Sequence, residues 1–215
     1  MGLRSFTTAS ADLCISSSGS LLSGVLAGLQ SVDLNTLAEG DLRQSLDLLM
    51  NNVNQIRSSP EDSKIRIDLC AASYMYNRAS DSGLIVGATG VVTALAHSLD
   101  ARYPECDHGS AYSILTAPGM KFNIDYNYSG QARLGRILGV ADAQAEEKTI
   151  ATAAATEIND IFTMMEMPTR LREVGVPRDG IRMIAEDAMT DFALHGNIRP
   201  VESSNDLEDL MQVIW

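Results

Sequence analysis

Three histidines, His97, His108 and His195, carry the side chains whose ordinary titration range lies closest to neutral pH. His97 follows Thr93 by four residues, so on a helix the hydroxyl and the imidazole face the same way and can share a pocket. His108 precedes Tyr112 by the same interval, one helical turn. Such pairs suit acid–base chemistry at a carbonyl or hydroxyl: an imidazole moves a proton while a neighbouring hydroxyl orients or donates. A buried histidine bonded to a carbonyl is the competing reading of His97, and helix capping or loop packing that of His108. His195, in a polar Leu-His-Gly turn, reads as structural. Asp12 stands before an apolar run and is first of all an N-cap candidate. Cys14 and Cys106 fall near the same region without the electropositive setting that makes a thiolate, so Cys14 is a pocket contact and not a nucleophile. Met164, Met165 and Met167 read as core filler or cavity lining, with Met164 the candidate substrate contact.

The elements that must position these groups are helical. No β-branched run alternates with polar residues over a strand's length. Residues 11–29 are apolar and small-residue-rich with no clean polar face, which predicts a helix buried on several sides. Leu42, Leu46, Leu49, Val53 and Ile56 recur at three-to-four spacing. Ser59 and Pro60 are read as the start of a third helix, with Ile65, Leu69, Ala72 and Tyr76 on its apolar face. Residues 84–103 read as one long helix stopped by Pro104. A helix from His108 is expected to break at Ala117-Pro118-Gly119. A short amphipathic segment at 130–140 and a long helix ending before Pro168 follow. Three short C-terminal helices come last, with caps at 176–179 and 204–206. The fold class expected is all-α, a multi-helix bundle over 1–215, with less certain helices before residue 83.

Bulk properties narrow the function classes. The chain of 215 residues is 45% hydrophobic, enough to bury roughly 70% of its unfolded surface. A net charge of −12, with 16 Lys and Arg dispersed, lacks the footprint of a nucleic-acid binder. Three widely spaced cysteines form neither a disulfide framework nor a zinc ribbon. No signal peptide and no membrane span are read, and the expected location is cytoplasmic. Gly2 invites a myristoylation reading that Phe6 disfavours.

Residues 90–123, GVVTALAHSLDARYPECDHGSAYSILTAPGMKFN, resemble the signature of iron-dependent alcohol dehydrogenases and the related maleylacetate reductases. In that family a Gly is followed by His, three residues and a second His. A helix-ending turn, Pro-His-Gly, and a helix leading to Leu-Pro and Asn come next. The C-terminal stretch from Gly175 resembles the family's end, including Asn197, Arg199 and Pro200. The resemblance implies a helical domain that normally sits behind a dinucleotide-binding domain, with the active site in the cleft between them. No strand followed by a Gly-rich phosphate loop is read here. The run at 83–90 lacks the spacing and downstream acid of a dinucleotide fingerprint, so no cofactor is expected.

Carried over position by position, the family's metal ligands fall at Asp12, Ser16, Thr93 and His108. Only Asp12 and His108 keep ligand chemistry, too few for iron or zinc, and no metal is expected, although Asp100 or Asp107 could substitute. His97 takes the place of the second signature His, which lies near nicotinamide and substrate in the family. The function expected is a cofactor-independent isomerase, dehydratase, lyase or cyclase acting on a mostly apolar, carbonyl-containing small molecule. His97, His108, Asp12 and Tyr112 would be catalytic, and Thr93, Ser16, Cys14 and Met164 would contact substrate. Two alternatives stand beside it: a non-catalytic binding or scaffold module, and the helical half of a split metal-dependent alcohol dehydrogenase or maleylacetate reductase. A homodimer is expected to cover the face the nucleotide domain would occupy.

Overall fold

The computed structural model describes residues 8–82, 90–142 and 144–215, and every regular element among them is a helix. The readings made at Gly2, at Phe6 and over 83–89 lie outside the described residues. Helix α1 (Ala11–Leu29) starts at Ser10, whose Oγ accepts the Leu13 amide at 3.2 Å. Its second half, with Leu22, Val25, Leu26 and Leu29 at 1% exposure or less, is core on nearly every side. By length and mean hydropathy (1.3 over 18 residues) α1 could cross a bilayer, contrary to the reading that no segment comes close. In the fold those apolar residues serve the interior.

Helix α2 (Thr36–Asn52) is capped by Asn35 and buries Leu42, Leu46 and Leu49. After the single turn α3 (Gln55–Ser58), helix α4 (Ser63–Asp81) packs against α2. Its N-cap is Asp62, not Ser59: the Asp62 carboxylate accepts the Lys64 amide at 2.8 Å and the Ile65 amide at 3.4 Å. A carboxylate at the N-terminus also meets the positive end of the helix dipole, which Ser59 could not do. Arg78 of α4 pairs with buried Asp41 of α2 through two hydrogen bonds.

Helices α5 (Gly90–Arg102), α6 (His108–Asn123), α7 (Tyr128–Leu138) and α8 (Glu147–Met164) follow, then α9 (Ile181–Ala188) and α10 (Ser204–Gln212). Gly139, at φ 70°, ends α7 in the left-handed conformation that glycine adopts at least cost. Helix α10 opens on a capping box between Ser203 and Asp206. The expected break at Pro118 does not occur; α6 runs through it. The missing proline N–H forfeits one helical bond, but Ala117, Gly119 and Met120 are buried around it, and Gly119 sits hard against Val92 of α5.

Two apolar cores result. One joins α1, α2, α4, α7 and α8, with Phe162 fully enclosed; the other joins α5, α6, α9 and α10. Helix α6 is common to both, giving Ala117 and Met120 to the first and Ala111, Ile114 and Leu115 to the second. Each buried leucine, isoleucine or phenylalanine contributes about 1.5–3 kcal/mol, so the shared wall is held from both sides. The N-terminal end of α6, carrying His108, is thereby fixed between α1 and α5.

Candidate functional site

The close approach of α1 to α6 sets the site. Gly109 lies so near α1 that a Cβ would strike the Ser16 carbonyl. Its amide donates to Ser16 Oγ at 3.2 Å, and the Ser16 hydroxyl donates to Asp107, the N-cap of α6. Asp107 also accepts from the Ser110 amide and hydroxyl. Burial would raise the Asp107 carboxyl, but the hydrogen bonds from Ser110, Ser16 and the nearby amides outweigh it and hold the group below its usual range.

Along α5, Thr93, His97 and Asp100 fall at positions i, i+4 and i+7, one stripe of the helix. Asp100 Oδ2 lies 2.7 Å from His108 Nδ1, and Asp100 Oδ1 is buried without a partner. The His108 ring meets Tyr112 edge-on, with centroids 4.9 Å apart. Burial pushes the Tyr112 phenol upward, opposed in part by a hydrogen bond with Thr93, so Tyr112 remains a protonated donor at neutral pH. His97 Nδ1 lies 2.8 Å from Asp191 Oδ2, and the ring leans on Phe192 at 6.0 Å. Asp191 simultaneously accepts the Ala193 amide at 2.8 Å, capping the 3-10 turn Phe192–Gly196.

That turn is clamped in place by the asparagine of the C-terminal signature. Asn197 and Asn123 exchange amide hydrogen bonds at 2.8 and 3.0 Å, and Asn197 Oδ1 also accepts the Val91 amide at 3.1 Å. Arg199 donates to the Phe122 carbonyl at 3.0 Å and stacks over that ring at 3.9 Å. Gly90 is required at the contact, since a Cβ would come within 2.6 Å of the Ala193 carbonyl. These residues build the site wall rather than its chemistry.

A cavity of about 600 Å³ opens between α1, α4, α5 and α6. Ser17, Ser20, Thr93, His108, Tyr112 and Phe192 line it, with Ser23, Ser73, Tyr76 and Asn77 on the other walls. Of the residues singled out from sequence, it gathers Thr93, His108 and Tyr112, with His97 just behind Phe192. Asp12 and Ser16 are elsewhere: they border a separate 250 Å³ depression, where exposed Asp12 pairs with Arg57 at 2.9 Å. The reason is register. The face of α1 toward His108 carries Ser17, Ser20, Leu21 and Gly24, and Leu13 lies one turn before Ser17. Ser16 lies about 90° and Asp12 about 130° from the centre of that face.

Cys14 lines a neighbouring groove of about 380 Å³ and lies 3.6 Å from an Arg66 guanidinium nitrogen. Met164 is 56% exposed and borders none of these three cavities. Cys106 is buried, its thiol pushed up to about 12 by burial and then by Asp100 and Asp107. Sequence reasoning missed Ser17, Ser20, Asn77, Asp191 and Phe192. Ser17 could have been found by stepping one residue along α1, whereas Asp191 has no local signal.

The donors present do not fit the metal that the resemblance places here. Only His108 among the described residues that line the cavity is a strong metal ligand. Among the described residues no group of three or more His, Cys, Asp or Glu is placed to hold an ion.

Comparison with known proteins agrees with the helical fold. A family profile described as "Fe-containing alcohol dehydrogenase family, C-terminal" matches residues 22–215. Lactaldehyde reductase of Escherichia coli K12 is 29% identical over 129 residues, 59% of this chain and 32% of that protein. The structure of a 1,3-propanediol oxidoreductase superposes with a TM-score of 0.82 at 21% identity, covering 97% of this chain and 53% of the other. NADH-dependent butanol dehydrogenase A of Thermotoga maritima gives 0.83 at 17% identity, with the same coverage. The chain thus spans about a third to a half of the proteins it matches. These relatives are named as dehydrogenases and reductases, which overturns the expectation of a cofactor-independent isomerase, lyase, dehydratase or cyclase. The matched region, the helical fold and the signature positions at Thr93, His97 and His108 lead to one statement: the chain belongs to the Fe-containing alcohol dehydrogenase family, as the family's C-terminal helical part.

Proposed function

We propose that this chain is the helical half of an alcohol dehydrogenase or aldehyde reductase whose nucleotide-binding part lies outside these 215 residues. The observation that carries the reading is the cavity bounded by Thr93, His108 and Tyr112, the signature region of a family whose named members interconvert alcohols and aldehydes. Supporting it, Phe192 at the rim is 78% exposed and Leu13 57%, apolar surface of the kind a second domain covers.

On this reading the substrate oxygen sits among the Tyr112 hydroxyl, the Thr93 hydroxyl and the His108 ring. Tyr112 donates to the oxygen. His108, held through Nδ1 by Asp100, lines the cavity and would meet the substrate oxygen through Nε2. His97, steadied by Asp191, stands behind Phe192 at the cavity edge. A nicotinamide carrier, of the kind the Thermotoga enzyme's name specifies, supplies the hydride when bound by the other half.

The test is affinity capture of the chain from its own cells, followed by an assay of butanal-dependent NADH oxidation. The chain alone is expected to be inert and the captured complex active, with His108→Ala lowering the rate by about 100-fold or more. A chain that light scattering shows only as a homodimer, with no dinucleotide-binding companion and no saturable binding of butanol by NMR, would overturn the proposal.

A further inference from the structure

We infer that this cavity holds its ligand's oxygen by hydrogen bonds alone, as a metal-free site selective for uncharged hydroxyl- or carbonyl-bearing molecules. The ligand class rests on the function proposed above; the absence of a metal role does not.

The first ground is which donors face the cavity. On α1, Ser17 and Ser20 line the cavity with His108. On α5, Thr93 does. Neutral serine and threonine hydroxyls are poor ligands for a transition ion, which wants imidazole, thiolate or carboxylate in threes or fours. The acids that could have stood in are committed. Asp12 is on another face of α1 with Arg57, Asp107 is held by Ser16 and Ser110, and Asp100 sits behind His108 on Nδ1.

The second ground is charge. In a chain of net charge −12, no Asp, Glu, Lys or Arg among the described residues lines the cavity. Seven hydroxyl side chains do: Ser17, Ser20, Ser23, Ser73, Tyr76, Thr93 and Tyr112. A carboxylate or phosphate ligand would find no counter-charge, and a cation no anionic ligand. A small neutral diol or aldehyde would find donors and acceptors on each wall.

Calorimetric titration of the purified chain with Zn²⁺ is the deciding measurement, beside saturation-transfer NMR with 1,3-propanediol. The wild type is expected to show no stoichiometric Zn²⁺ site, and any propanediol signal is expected to be unchanged by EDTA. The double substitution Ser17→His, Thr93→His adds two imidazoles to the cavity wall that carries His108. It should create a 1:1 Zn²⁺ site at least ~100-fold tighter than wild type, lost again on His108→Ala. A 1:1 Zn²⁺ site in the wild type that His108→Ala removes would overturn the inference, as would propanediol binding abolished by EDTA. Failure of a folded double variant to bind zinc would overturn the placement of Ser17 and Thr93 beside His108 on which the inference rests. If the double variant does not fold, the wild-type titration with its His108→Ala control decides alone. Loss of propanediol binding together with zinc silence would count against the function proposed above while leaving the metal-free site supported.

Discussion

His97 Nδ1 lies 2.8 Å from Asp191 Oδ2, a contact between residues 94 positions apart that ties the middle of α5 to the turn after α9. The same carboxylate caps that turn through the Ala193 amide. Removing it therefore takes away two hydrogen bonds, whereas removing the imidazole takes away one and a ring contact with Phe192. Asp191→Ala is expected to destabilise the fold by about 1–2 kcal/mol and His97→Ala by less, with Asp191→Asn, which can still cap, in between. Urea denaturation of the three variants checks the order. Equal costs for Asp191→Ala and His97→Ala would remove the capping role.

The second histidine gives a prediction about a proton. An ionised carboxylate only accepts, so Asp100 at 2.7 Å places the His108 proton on Nδ1 and leaves Nε2 as the lone-pair nitrogen. Long-range ¹H–¹⁵N spectra should show the Nδ1–H tautomer in the wild type. Asp100→Asn should weaken that preference without unfolding the chain. A wild-type spectrum dominated by Nε2–H would contradict the geometry.

Helix existence was legible because the apolar spacing in α2, α4 and α8 repeats over several turns, and the resemblance supplied the rest of the architecture. The facing of α1 was not legible. Its residues are small or apolar around most of the circumference, so no polar stripe separates Ser16, bonded to Asp107 and Gly109 beside His108, from Ser17, which lines the cavity. Pro118 misled for a related reason: the lost hydrogen bond is local, while the burial that keeps α6 continuous comes from α5 and the first core. Asp191 and Phe192 enter the site through tertiary contacts alone, joined to α5 by the Asn123–Asn197 amide pair.

Two glycines in comparable helical settings should respond in opposite directions to alanine. At Gly109 the new methyl would meet the backbone carbonyl of Ser16, which cannot swing away as a side chain could, so α1 and α6 must separate. A loss of about 1–3 kcal/mol or more is expected. Gly40, on the exposed face of α2, has open space where its Cβ would go, and Gly40→Ala should stabilise by about 0.5–1 kcal/mol. Thermal melts of the pair decide it. Matching losses at both positions would mean that helix packing at Gly109 is looser than described.

Acid should act through Asp107. Its carboxyl is raised by burial but held lower overall by the Ser110 and Ser16 hydroxyls and by the amides of Ser110 and Gly109. A folded-state value below the unfolded one, near 3.9, means that its contribution to stability is complete above about pH 4 and disappears as pH falls through the folded value. Asp107→Asn should therefore melt below the wild type at neutral pH, and the gap in melting temperature should close as the solution is taken below about pH 4. Because the residue is partly solvated, the neutral-pH gap should be modest. The closure, and not the size of the gap, carries the argument. A merely structural loss from the amide would leave the two curves parallel across the whole range, whereas convergence on the acid side requires that the carboxylate's charge anchors the α1–α6 junction.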